Sequence, residues 1–82
     1  MILLGSTGSI GVNTLVVAKK FGIDVEVLVC GSNIVLLNEQ IKEHKPKTVV
    51  IANSQDIAKV NHARVYSGQE AILKVIEDSS SE

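Results

Sequence analysis

The sequence predicts an α/β fold: a parallel sheet of about four strands with helices on both faces. Three observations carry this. Short apolar, β-branched runs alternate with segments of helical period, the connections between them are short, and a glycine-rich turn, Gly5-Ser6-Thr7-Gly8-Ser9-Ile10-Gly11, follows the first run directly. Strands covered on both faces read as unbroken apolar runs, and intervening helices make sequential strands parallel. Right-handed crossovers then lay each strand beside the last, in the order 4-3-2-1, with the first strand at an edge.

Each element has its own signal. Ile2-Leu3-Leu4 is a short buried strand ending at Gly5. Residues 9–21 form a helix with Ile10, Leu15, Ala18 and Phe21 expected on its apolar face and Lys19 and Lys20 in its last turn, where the helix dipole favours cations. Gly22 is the natural stop. Val25 to Cys30 reads as the second strand, interrupted only by Glu26, which is assigned to an exposed strand end. Gly31-Ser32-Asn33 turns into a helix over 34–44, with Ile34, Leu37 and Ile41 inward and Glu39 and Glu43 in water. Pro46 ends it, because a residue before proline disfavours the right-handed helical region. Thr48 to Ala52 is the third strand, Asn53 is placed to cap a short helix over 54–60, and Arg64 to Tyr66 is the fourth strand. Ser67 and Glu70 have capping-box spacing ahead of a helix to about Glu77, with Ile72, Val75 and Ile76 on its apolar side. Residues 1–77 are thus one unit, and the acidic, serine-rich stretch 78–82 reads as a frayed tail.

Composition narrows the functional classes. At 82 residues the chain buries only about 60% of its unfolded surface. With Phe21 and Tyr66 the only aromatic residues, its core must be aliphatic. The net charge of -1 and the lack of a basic patch or stacking platform argue against nucleic acid as a partner. No apolar run nears the roughly 18 residues of a membrane span, and no signal-peptide pattern opens the chain. The single cysteine, Cys30, closes an apolar run and reads as a buried, inert thiol, which suits a reducing cytoplasm.

The glycine turn sits between a strand and a helix, the context a phosphate-binding turn requires. Gly5 permits a tight exit from the strand, Gly8 removes a Cβ where a pyrophosphate would approach, and Gly11 lets the helix lie close to the sheet. Amides near Gly8, Ser9 and Ile10 would then face the anion from a helix N-terminus, with the Thr7 and Ser9 hydroxyls adding hydrogen bonds. The spacing is G-x-x-G-x-x-G, and two readings stand: a dinucleotide site, or glycines needed only by a tight turn. At the end of the second strand, Gly31-Ser32-Asn33 replaces the carboxylate that would grip the ribose of NAD. Nothing there repels a 2′-phosphate, and Ser32 and Asn33 can donate to one, so the sequence leans towards NADP. Helix capping by the same two residues is compatible with that role.

Other chemistry-bearing residues form no constellation. Glu39 and Glu43 lie one turn apart but read as a solvated face, and His44 and His62 as surface or capping residues. Ser6, Thr7 and Ser9 have no base placed to activate them as nucleophiles. Asp56 and Glu70 suit helix N-termini.

The opening Ile2-Leu3-Leu4 with GSTGSIG resembles the start of 1-deoxy-D-xylulose 5-phosphate reductoisomerases. Gly31-Ser32-Asn33, the helix from Asn33 to Ile41, Lys45-Pro46-Lys47 and Val65-Tyr66-Ser67-Gly68-Gln69-Glu70-Ala71 are similar to the same family's later segments, so the resemblance covers essentially the whole chain. It implies a Rossmann-like fold, of which this chain is an incomplete half of a doubly wound domain. It also implies NADPH-dependent rearrangement and reduction of 1-deoxyxylulose 5-phosphate to 2-C-methylerythritol 4-phosphate, in a homodimer assisted by a divalent metal, Mg or Mn. Thr7, Gly8, Ser9 and Ile10 would contact the cofactor phosphates, within a loop bounded by Gly5 and Gly11. Gly31, Ser32 and Asn33 would lie near the adenosine end. Family members often carry a basic residue where this chain has Ser32. The metal ligands and substrate site have no counterpart in these residues, so the chain alone is not expected to be active. A second reading takes it as a self-associating α/β fragment or engineered module, because the first strand lacks a partner on one side. A third, another NAD(P) enzyme sharing the loop, is disfavoured by Gly31-Ser32-Asn33 and Ser67-Gly68.

Overall fold

The computed structural model describes residues 1–80. Four parallel strands, β1 (Ile2–Leu4), β2 (Val27–Val29), β3 (Thr48–Ile51) and β4 (Val65–Ser67), form one sheet in the order β1-β2-β3-β4. Between them run helices α1 (Ser9–Lys20), α2 (Ile34–His44) and a 3-10 helix, Ser54–Lys59, and α3 (Gln69–Ser80) follows β4. This is a Rossmann-like half-domain, with the expected strand order.

The two-residue period of a strand divides the core between two faces. On one, Leu3, Leu28, Cys30, Val49 and Ile51 pack with Leu15 and Ala18 of α1 and Ile34, Leu37 and Ile41 of α2. On the other, Val27, Val29 and Val50 meet Ile2 and Ala71, Ile72 and Val75 of α3. Helices therefore cover both faces, α1 and α2 together and α3 opposite. Burying a side chain such as Leu37 completely contributes on the order of 1.5–3 kcal/mol.

Several local expectations need correction. The buried stripe of α1 is Gly11, Leu15 and Ala18, whereas Ile10 and Phe21 are 81% and 69% exposed. The helix approaches the sheet through Gly11, which turns Ile10 outward, and Phe21 is the C-cap, beyond the last helical turn. The Ser67–Glu70 capping box does not form in its expected register: Ser67 ends β4, and Gly68, at φ 93°, stands between it and α3. Asn53 occupies the cap position of the 3-10 helix, but its side chain makes no cap bond. The β2 ladder is shorter than Val25 to Cys30, although both end residues are buried and the Cys30 amide still donates to the Val50 carbonyl at 2.9 Å. Glu26 lies half-buried just ahead of β2.

Helix ends follow their sequence signals. At the end of α1 the Ile23 amide donates to the Ala18 carbonyl at 2.8 Å and Gly22 to Lys19 at 3.3 Å, the paired bonds of a Schellman motif. Lys45, ahead of Pro46, leaves α2 in the left-handed region at φ 49°. α3 runs to Ser80, past the end expected near Glu77. Of the tail expected over 78–82, residues 81–82 lie outside the described residues, as does the side chain of Ile76. Among the described residues no helix is long and apolar enough to cross a membrane.

Candidate functional site

The two loops singled out in the sequence leave the carboxyl ends of adjacent strands. Leu4 of β1 is in register with Val29 of β2, so the β1–α1 turn and the β2–α2 turn begin side by side. They are also bonded together. The amides of Gly5 and Ser6 both donate to the Val29 carbonyl, at 2.8 and 3.0 Å. Gly5, Thr7, Gly8, Ser9, Ile10 and Gly11 thereby stand next to Gly31, Ser32 and Asn33.

The three glycines of the first loop differ in their reasons. Gly5 has φ +71°, a conformation that side chains rarely adopt. Gly11 is packed without room: a Cβ there would meet the Gly5 carbonyl oxygen at 2.1 Å and the Ser6 Cα at 2.8 Å. The close approach is between α1 and the turn leaving β1. Gly8 has neither constraint. Its φ is -78°, it is exposed, and a Cβ would find only the Gly5 oxygen, at an ordinary 3.5 Å. Gly31 is alike, exposed, with nothing within 4 Å of a built Cβ.

Gly8 precedes α1 as its cap, and no side chain caps this end. The Gly8 amide is turned inward, donating to the Gly5 carbonyl at 3.1 Å, so it is not one of the donors expected to face an anion. The amides of Ser9, Ile10 and Gly11 have no acceptor among the described residues, as the first three of a helix must unless something outside it accepts them. No acidic residue lies in the first turn of α1 or of α2, so both helix dipoles point their positive ends at this rim unopposed by a local carboxylate. At the second loop, the Asn33 side-chain oxygen accepts the Leu36 amide at 3.3 Å, capping α2 and leaving its amide nitrogen as a donor. Ser32 is exposed beside it.

Cys30 is buried behind these loops. Burial pushes its thiol up from the usual range, the Thr7 hydroxyl acts in the opposite sense, and the Asp56 carboxylate adds a smaller upward push. Burial thus keeps the thiol in its protonated form at neutral pH, and its place at the end of an apolar run is the buried one expected.

Sequence reasoning missed Gln40. It is buried in α2, 6% exposed, and its side-chain nitrogen donates to the Ser6 carbonyl at 2.7 Å. The signal was present: a polar residue next to Ile41 and one turn from Leu37, on the face that turns inward. The remaining candidates have structural partners. His62 holds the Pro46 carbonyl with Nε2 at 2.7 Å and the Arg64 amide with Nδ1 at 2.9 Å, and Glu43 pairs with Lys19. Asp56 pairs with Lys59 at 3.4 Å. Two surface grooves lie elsewhere: one of about 380 Å³ between α1 and α2, and one of about 500 Å³ beside β4 and α3. Neither includes the glycine turn. The backbone chemistry of that turn, not concavity, marks the candidate site.

Known proteins point the same way. The profile of the 1-deoxy-D-xylulose 5-phosphate reductoisomerase family matches residues 1–82. A protein of that name from Nautilia profundicola is 50% identical over 82 residues, the whole of this chain and 22% of its own length. Those of Campylobacter lari and Helicobacter pylori are each 51% identical, over 81 and 83 residues, covering 99% of this chain and 23% of theirs. The chain thus spans less than a quarter of the length of these curated relatives. A match along every residue, through the glycine turn and both helices that frame it, places the chain in the 1-deoxy-D-xylulose 5-phosphate reductoisomerase family.

Proposed function

We propose that this chain is the NADPH-binding portion of a 1-deoxy-D-xylulose 5-phosphate reductoisomerase. The observation that carries the reading is Gly8. The fold places no demand for glycine there, yet the position stands bare and exposed beside three unengaged amides at a helix N-terminus. A missing Cβ at such a point serves a ligand that approaches the backbone, and a pyrophosphate fits a positive dipole end lined with N–H groups. Gly31, equally unconstrained, clears the neighbouring loop for the adenosine end, where Ser32 and the Asn33 amide can donate to a 2′-phosphate.

When bound, NADPH supplies the hydride of a reduction. These residues bind and orient it: Ser9, Ile10 and Gly11 offer amides, Thr7 and Ser9 hydroxyls, and Gly5 sets the turn. The whole protein's proposed activity is the rearrangement and reduction of 1-deoxyxylulose 5-phosphate to 2-C-methylerythritol 4-phosphate, a step of non-mevalonate isoprenoid synthesis, in a cytoplasmic homodimer that uses Mg or Mn. Among the described residues no three His, Cys, Asp or Glu side chains form a group that could hold a metal ion, so no step is assigned to a metal through them.

Titration of the intact protein with NADPH, wild type against Gly8→Val, tests the reading. The valine should weaken binding at least tenfold, and equal affinities would remove the loop from the site.

One observation favours self-association of the 82-residue segment by itself. Among the described residues β1 pairs only with β2, and Leu4 at its end is 56% exposed. An unpaired apolar edge is a template for another strand. Sedimentation of the isolated segment should show dimers or larger species, and a monomer at high concentration would rule that association out.

A further inference from the structure

We propose that Gln40 is a positioning residue that aims the Thr7 amide of the glycine turn at the cofactor's phosphates, an inference that rests on the cofactor reading above. Burying a glutamine in an apolar helix face costs free energy unless its polar atoms are bonded. Gln40 is only half satisfied: its nitrogen reaches the Ser6 carbonyl, while its oxygen, like the buried Ser6 hydroxyl, has no partner among the described residues. Leucine or methionine would fill the same space with no polar atom left over. The glutamine is thus better explained by what it does to Ser6 than by what it adds to the core.

Ser6 is fully buried and gripped on three sides. Its amide donates to Val29 at the end of β2, its carbonyl accepts from Gln40 of α2, and its Cα lies against Gly11 of α1. The Ser6 carbonyl and the Thr7 N–H belong to one planar peptide unit, and it is trans, as no peptide bond among the described residues is cis. In a trans unit these two groups point in opposite directions. Drawing the Ser6 oxygen 2.7 Å from α2 therefore turns the Thr7 N–H away from α2, and that N–H has no acceptor among the described residues. Gln40 also lies on the helix that Asn33 caps, two turns on. One rigid element thus fixes the phosphate turn and the adenosine-end loop relative to each other.

The test uses the intact protein and two ligands: NADPH, and adenosine 2′-monophosphate, which keeps the adenosine end and its 2′-phosphate but carries no 5′-phosphate for the turn to hold. Gln40→Met keeps the volume and removes the donor. It should raise the dissociation constant for NADPH about tenfold, the scale of one misaimed hydrogen bond, and leave that for the monophosphate unchanged. Ile41→Val, a core trim in the same helix, should lower the melting temperature and change neither affinity. If Gln40→Met binds NADPH as tightly as wild type, or loses both ligands in parallel, the positioning role is overturned. A measurement on the wild type does not depend on the variant folding: the Thr7 amide should gain protection from hydrogen exchange when NADPH binds, and no gain overturns the proposal. Weakened NADPH binding in Gly8→Val with none in Gln40→Met would defeat this inference alone. A wild type that binds no NADPH would defeat the cofactor reading and this inference with it.

Discussion

A Cβ on Gly11 would stand 2.1 Å from the carbonyl oxygen of Gly5, while one on Gly8 would stand 3.5 Å from the same atom. The obstacle at Gly11 is backbone and cannot swing aside. Gly11→Ala should therefore destabilise the fold by about 3 kcal/mol, at the upper end of overpacking costs. Gly8→Ala meets no such clash: the gain from a less flexible unfolded chain is offset by alanine's poorer fit at a helix cap, so stability should change by less than about 0.5 kcal/mol while NADPH binding weakens. Chemical denaturation of both variants checks the contrast.

Ser32 tests cofactor choice. It is exposed, and Asn33 supplies the cap of α2, so Ser32→Asp should leave the melting temperature nearly unchanged. A carboxylate at the end of β2 would repel a 2′-phosphate and accept from ribose hydroxyls. NADPH affinity should fall about tenfold, the effect of roughly 1.4 kcal/mol, while NADH affinity holds or improves. Parallel titrations with the two nucleotides give the ratio.

The Cys30 thiol ionises above its usual range because it is buried. Alkylation by iodoacetamide, which needs the thiolate, should be far slower in the folded protein than in the unfolded chain at pH 8. The sign for stability follows: below the ordinary thiol range both states hold the proton and the effect on stability is nil. As pH rises through that range the unfolded chain loses its proton first, so stability falls. Thr7→Val removes the one influence that lowers the thiol and should slow alkylation further.

Glu43 shows the opposite shift. The Lys19 ammonium, by hydrogen bond and by charge, lowers its carboxyl below the usual value, with a smaller contribution from His44. The folded state therefore gives up the proton more readily, so the stabilisation is present above the ordinary carboxylate range and lost as pH falls through the lowered value. Melting curves of wild type and Glu43→Gln should differ most at neutral pH and low salt. They should converge in acid and in high salt, since the pair is exposed to solvent.

Sheet order and element type were legible because each depends on local patterns: Val and Ile runs, the Ile34-Leu37-Ile41 stripe, Pro46 and Gly22. Orientation was less so. Ile10 looks like a core residue by period, but the space it would fill is taken by the backbone contact of Gly11, and nothing in a hydrophobic pattern records an absent side chain. Ser67 satisfies a capping rule that Gly68 displaces, because Ser67 is committed to the β4 ladder, in register with Ile51. The glycine turn could be read as a candidate site since its residue types carry its chemistry. The inward Gly8 amide and the bond from Gln40 to Ser6 could not, because they depend on where α2 lies in space.

The two layers over the sheet are unequal. α1 and α2 contribute the buried Leu15, Ala18, Ile34, Leu37 and Ile41 to the cluster over Leu28, Val49 and Ile51, whereas α3 meets Val27, Val29 and Val50 with side chains that are only partly buried, Ala71, Ile72 and Val75. Subglobal opening follows the weaker seam. α3 should peel away first, as a separate cooperative unit, while β2 and β3 keep their slow amides. The half of the molecule that holds the proposed nucleotide site should also be the half that lets go last.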